Sequence, residues 1–175
     1  MQSKVIGYIQ QEVPPHNNPA VLDVGCGNGA FLLEMLSKGY FSLTGIDYAE
    51  SAIRFVQLKM EKLQEANPLF RAISLKHGDI INPGAEEEAK ETEKYDIVHD
   101  KGTFDVIHMN KGIENRAYVD AIARRLKKEK GRFAVITSCN LTGKELEREF
   151  CEGEDAPFEL KEELKGYPSF TFGGV

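Results

Sequence analysis

An α/β fold with a doubly wound parallel sheet is the class that this 175-residue sequence predicts. Short β-rich runs alternate with amphipathic helical segments along the chain. The stretches between successive runs are long enough for crossover helices, which parallel pairing requires. Four of the runs carry an aspartate at or just beyond their carboxyl end, each within two residues of a glycine, and ligands in such sheets lie beyond the carboxyl ends of the strands.

Taken in order, the elements are as follows. A helix is expected over Ser3–Gln11, where Ser3 can cap and Val5, Ile6 and Ile9 share a face. Pro14 and Pro15 end it. Ala20–Val24 reads as a buried strand, followed by a glycine-rich turn and an apolar helix at Ala30–Lys38 that Gly39 terminates. Ser42–Ile46 is a second strand ending in Asp47. Glu50–Asn67 is a long amphipathic helix with Ile53, Val56, Met60 and Leu63 on one side, closed by Pro68. A third strand fits Ala72–His77, and the polar run Glu86–Glu93 reads as a solvated loop or frayed helix. Tyr95–Asp100 is a fourth strand, Asn115–Leu126 a helix, and Arg132–Thr137 a fifth strand. Thr142 with Glu145 forms a capping box for a helix reaching about Phe150. Phe158–Leu164 is expected as a sixth strand.

Composition narrows the function classes. Hydrophobic residues make up 41% and charged residues 29%, which suits one globular domain over residues 1–175. A formal net charge of -6 argues against unspecific nucleic-acid binding, which needs a surplus of Lys and Arg. No apolar run approaches the roughly 20 residues of a membrane span, and no basic-then-apolar leader is visible, so neither membrane insertion nor secretion is expected. Cys26, Cys139 and Cys151 are odd in number and far apart, which points to a reducing compartment. The histidines are equally scattered, and no metal site is expected.

The four strand ends carry the chemistry. The first is Asp23-Val24-Gly25-Cys26-Gly27-Asn28-Gly29, where glycines allow a sharp turn and close approach of a ligand to the backbone. Gly25-x-Gly27-x-x-Ala30 also satisfies a dinucleotide fingerprint, so NAD has to be weighed. A pyrophosphate needs positive potential at the helix start. Here Asp23 precedes the loop, and no Lys or Arg occurs between Ala20 and Leu36. S-adenosylmethionine carries a sulfonium and an ammonium and no phosphate, so the charge pattern favours it. At the second end Asp47 can accept both ribose hydroxyls, with Tyr48 beside it; a helix-capping role is the competing reading. At the third, Asp79 can accept an adenine amine and Ile80 can offer apolar surface, against a simple turn aspartate. The fourth, His99-Asp100-Lys101-Gly102-Thr103-Phe104-Asp105, is the most distinctive. Asp100 emerges beside the first strand, although a self-satisfied turn network is the alternative; Lys101 reads as a surface lysine.

With these residues the chain resembles the eukaryotic lysine methyltransferases that modify translation elongation factor 1-alpha. The matching segments are Val21-Leu22-Asp23-Val24-Gly25-x-Gly27-Asn28-Gly29-x-Phe31-Leu32, Thr44-Gly45-Ile46-Asp47-Tyr48, Asp100-Lys101-Gly102-Thr103-Phe104-Asp105, Thr137-Ser138-Cys139-Asn140 and Phe170-x-Phe172-Gly173-Gly174. They span nearly the whole chain, and the last three narrow the family most. The resemblance implies a Rossmann-like class I fold and S-adenosylmethionine as cofactor, with S-adenosylhomocysteine as product. It implies a cofactor site at Asp23, Gly25, Cys26, Gly27, Asn28, Gly29, Asp47, Tyr48, Asp79, Ile80 and Asp100, with Asp100 also catalytic through orienting the amine. The expected partner is a protein, elongation factor 1-alpha, met by a monomer in the cytoplasm or nucleus. Family members carry a further N-terminal segment and a final antiparallel strand after Phe-Gly-Gly, so the sheet is expected here without its last strand. The residues leave open a small-molecule acceptor, another protein acceptor, or a non-catalytic scaffold. An Asn/Asp-Pro-Pro-Tyr-like element, typical of nucleobase and glutamine methylation, does not occur at the fourth strand end.

Overall fold

Five strands form one parallel sheet in the computed structural model, which describes residues 2–83, 94–110 and 114–164. They are β1 (Ala20–Val24), β2 (Ser42–Asp47), β3 (Ile73–His77), β4 (Ile97–Lys101) and β5 (Phe133–Thr137), in the order β3-β2-β1-β4-β5. The helices are α1 (Gln2–Glu12), α2 (Ala30–Ser37), α3 (Glu50–Ala66), α4 (Thr103–Met109), α5 (Asn115–Arg125) and α6 (Gly143–Cys151). Every neighbouring pair of strands is parallel. The winding reverses at β1, which opens a crevice between the carboxyl ends of β1 and β4.

Alternation along each strand divides the core into two layers. Val21, Leu43, Ile73 and Ile97 face Ile6 and Ile9 of α1, Leu32 and Met35 of α2, and Ile53 of α3. Leu22, Val24, Ile46 and Val98 face the other way, toward Phe104 of α4, Tyr118 and Ile122 of α5, and Phe150 of α6. Burial on both faces explains why β1 reads as an almost unbroken apolar run. The capping box forms at α6: the Glu145 N–H donates to Thr142 Oγ1 (3.3 Å) and the Thr142 N–H donates to Glu145 Oε2 (2.7 Å).

Two elements differ from expectation. Thr103–Met109 is a helix that the pattern does not announce, because seven residues are too short to show a period. Phe158–Leu164 forms no strand. Phe158 packs on the layer of α4–α6 while Leu164 packs on the layer of α1–α3, so the segment crosses between layers instead of running along β5. Between them Lys161 pairs with Glu12 of α1. The polar run at Glu86–Glu93 and the Phe170–Gly174 element lie outside the described residues.

At the amino ends of the strands, Asp96 ties three elements together. Its Oδ2 accepts from the Ala20 N–H (2.7 Å) and from Lys127 Nζ (2.9 Å), and it ion-pairs with Arg132. Burial alone would raise the Asp96 pKa, but the Lys127 hydrogen bond, the Ala20 N–H and the two cations carry it below its ordinary value. Its stabilisation is therefore complete above the unfolded pKa and is lost as pH falls through the lower folded one. Asp96→Ala is expected to lower stability at pH 7 by about 2 kcal/mol, measured by urea unfolding, and the gap to wild type should close on acidification. A gap that stays constant with pH would show that the carboxylate charge contributes nothing.

Candidate functional site: the carboxyl ends of β1, β2 and β4

The loop after β1 is built from three glycines in the left-handed region, Gly25 (φ 65°), Gly27 (φ 51°) and Gly29 (φ 71°). A side chain at Gly25 would collide with Thr103 Oγ1, and one at Gly29 with Val56. At Gly27 an added Cβ would find only the Gly25 carbonyl at 3.9 Å, so this glycine lies against open space. The Gly25 and Cys26 N–H groups donate to the Ile46 carbonyl (2.8 and 3.0 Å), and the Ala30 N–H donates to Asn28 Oδ1 (3.1 Å). Cys26 contributes backbone only: its thiol is buried, pushed up to about 12 by desolvation and by Asp23 and Asp47, and packs beside Gly45, where an added Cβ would meet the sulfur.

Asp47 sits where the second strand end was expected to supply a carboxylate. Its Oδ2 accepts from the Gly27 N–H (2.8 Å) and its Oδ1 from the Ala49 N–H (2.9 Å). Each carboxylate oxygen keeps a further acceptor position, so Asp47 anchors the loop while remaining half-exposed. It does not cap α3 directly, since the N-cap residue is Ala49, whose side chain makes no bond. Tyr48 is 78% exposed at the rim. Asp79 accepts from the Ile81 N–H (2.8 Å), which is the turn arrangement, with one oxygen left over. Ile80 is buried in the layer of α4–α6 and lines a cavity with Leu22, Ile46, His77 and Tyr95, so its side chain faces the core side of the rim.

At β4 the structure corrects one expectation. Asp100 is completely buried, and its carboxylate is taken by the Thr103 N–H (2.8 Å), the Phe104 N–H (3.0 Å) and the Tyr118 hydroxyl (2.8 Å). In this arrangement the carboxylate holds the N-terminus of α4, where a negative charge is favoured, instead of standing open to the crevice. Thr103 Oγ1 in turn donates to the Val24 carbonyl (2.9 Å). Asp105 accepts from Ser138 Oγ and from the Cys139 N–H (2.8 Å), which joins α4 to the end of β5. Lys101 is exposed. The Asp100–Asp105 and Thr137–Asn140 segments thus form one network of internal hydrogen bonds.

The sequence reading missed His99. Its imidazole Nδ1 lies 2.7 Å from Asp23 Oδ1, both residues are buried, and its ring stacks on Phe31 at 3.7 Å and 8°. Asp23 is consequently turned under the loop rather than toward a ligand, and burial, more than the opposing His99 contacts, raises its pKa. The available signal was a polar residue at a core-facing position of β4, opposite Asp23 in register.

A parallel sheet with a glycine cradle open at Gly27 and a free-edged carboxylate on the neighbouring strand defines a Rossmann-like binder of a nucleoside-type ligand. The part-exposed carboxylates Asp47 and Asp79 and the missing Lys or Arg from Ala20 to Leu36 fit a ligand with a cationic head better than a pyrophosphate. The chain belongs to the methyltransferase domain family, which it matches over residues 15–174. It is 42% identical to the human protein named EEF1A lysine methyltransferase 2, over 98% of this chain and 66% of that one. It is 31% identical to the Saccharomyces cerevisiae protein-lysine N-methyltransferase EFM4, over 99% of this chain and 74% of that one. The chain thus spans just under two thirds of the human relative's length. Among solved structures it is similar in fold to a glycopeptide N-methyltransferase, MtfA, complexed with sinefungin (TM-score 0.58, 14% identity, 77% of this chain and 52% of that one).

Burial raises the Asp100 pKa from 3.8 to about 6, against the opposing Tyr118, Thr103 and Phe104 hydrogen bonds. The folded chain then binds this proton more tightly than the unfolded one, so the contribution is complete below 3.8 and is lost as pH rises through about 6. Asp100→Asn removes the titration. Relative to wild type, its unfolding free energy should improve by about 2 kcal/mol between pH 4.5 and 7. Parallel stability curves for the two proteins would contradict this environment for Asp100.

Proposed function

We propose that this chain is the catalytic part of an S-adenosylmethionine-dependent protein-lysine N-methyltransferase acting on translation elongation factor 1-alpha. The observation that carries the reading is 42% identity across 98% of the chain to the human protein named for that activity. The acidic, phosphate-averse strand ends support the cofactor half of it. In the reaction an ε-amine nitrogen bonds to the methyl carbon while the carbon–sulfur bond breaks, and its electron pair goes to the sulfur as the amine gives up a proton.

The residues divide the work by position. Gly25–Gly29 let the ligand lie against backbone, and Asp47 holds that loop at Gly27 while offering acceptors to the ribose. Tyr48 and Asp79 stand at the rim on the nucleoside side. Asp100 is a positioning residue: through α4 it fixes the wall beside the crevice. Acceleration then comes mainly from alignment of two bound reactants, a term that reaches about 7–11 kcal/mol in favourable cases. The amine must be neutral to attack, and desolvation in the crevice favours that form. A monomer working in the cytoplasm, with the nucleus as a second location, completes the reading.

Calorimetry should show binding of S-adenosylhomocysteine and no tighter binding of NAD; the reverse order would overturn the cofactor assignment. Asp47→Ala removes charge-assisted bonds worth about 1.5–3 kcal/mol each, so S-adenosylhomocysteine affinity should fall at least tenfold, and apo stability should fall with the loss of the Gly27 anchor. Incubation with elongation factor 1-alpha and cofactor, followed by peptide mass spectrometry, should place methyl groups on lysine. Methylation confined to another residue type, or to a small molecule, would replace the acceptor assignment.

A further inference from the structure

The glycine loop has a second support that the cofactor contacts do not use. A loop with three residues in the left-handed region has high conformational freedom when nothing holds it. Asp47 fixes its middle through the Gly27 N–H. Its two flanks are Asp23, two residues ahead of Gly25, and Phe31, two residues past Gly29. One side chain touches both: His99 meets Asp23 at 2.7 Å and stacks flat on Phe31 at 3.7 Å. When Asp23 is ionised its oxygens only accept, and the hydrogen of this bond then belongs to Nδ1. His99 also sits on the strand that flanks β1, in register with Asp23, so the clamp ties β1 to β4 as well as holding the two flanks of the loop.

We propose that His99 is a positioning residue for the cofactor loop, its imidazole pinning Asp23 before Gly25–Gly29 and Phe31 after it so that the loop meets its ligand already ordered. Ligand binding then does not have to order five residues, and affinity is gained through preorganisation instead of contact. The inference rests on the reading of this loop as the S-adenosylmethionine site. It differs from a purely structural role in one respect. A structural histidine changes how much protein is folded, whereas a positioning one changes the affinity of the protein that is folded.

Three variants test it. His99→Phe keeps a stacking ring and removes the donor. His99→Asn places an amide N–H near the position of Nδ1 and removes the ring. Phe31→Leu removes the stack while leaving the Asp23 bond, and it buries no unpaired charge, so it serves if His99→Phe does not fold. S-adenosylhomocysteine affinity is measured by calorimetry on the folded fraction, and amide hydrogen exchange of Gly27 and Gly29 is measured without ligand. The expected result is an affinity loss of tenfold or more for His99→Phe, a smaller loss for Phe31→Leu, and substantial recovery in His99→Asn, each paralleled by faster exchange at Gly27 and Gly29. Unchanged affinity and exchange in both His99→Phe and Phe31→Leu would overturn the proposal. If wild type itself binds neither S-adenosylmethionine nor S-adenosylhomocysteine, the cofactor reading fails on its own, and exchange at the two glycines still decides whether His99 orders the loop.

Discussion

Adjacent residues of a strand point to opposite faces of its sheet, and at the end of β4 this places His99 under one layer and Asp100 under the other. His99 reaches Asp23 and Phe31; Asp100 reaches the start of α4 and Tyr118 of α5. The carboxyl ends of β1 and β4 are therefore held from both sides at the place where the winding of the sheet reverses. The crevice that such a reversal opens has no strand to fill it, so its shape depends on what fixes its two walls. These two side chains do that for the glycine loop on one wall and for α4 on the other.

Such groups are expensive to bury. Desolvation raises both Asp23 and Asp100, and each is accepted only because its oxygens meet donors. Apolar side chains of similar volume would often be as stable or more so. What hydrogen-bonded carboxylates add is direction: Asp100 fixes where α4 begins, and Asp105 fixes where it meets β5. Asp47 resolves the same tension differently, staying half-exposed so that one carboxylate both anchors Gly27 and remains open to a ligand. Asp47 keeps part of its surface in the open, whereas the Thr103, Phe104 and Tyr118 contacts of Asp100 are all internal to the fold.

The charge pattern also separates the two ends of the sheet. Aspartates outnumber the cations Lys76 and Lys101 at the carboxyl ends of β1 to β4, while Lys94, Arg124, Lys127, Lys128 and Arg132 outnumber Asp96 and Glu129 toward the amino ends of β4 and β5. A ligand group carrying positive charge would be drawn toward the acidic end.

The alternation of β and helical periods determined the parallel sheet before any contact was known, since each apolar run had to be buried on both faces and each connection had to cross back. The glycine loop and Asp47 were legible for the same kind of reason: positive φ and a carboxylate at a strand end are local requirements that a motif records. Tertiary structure decided what local pattern could not. Whether Asp100 faces a substrate or α4 depends on Tyr118, eighteen residues away, and Asp23 is turned inward only because His99 lies opposite it on a strand 76 residues further along. The α4 helix owes its existence to Asp100, Thr103 and Asp105 binding three separate elements, not to periodicity. Phe158–Leu164 reads as a strand by composition, yet Phe158 and Leu164 pack on different layers and Leu160 is exposed. A side chain's chemistry is written in the sequence, but its partner is fixed by register and packing, and at this site the partner determines the role.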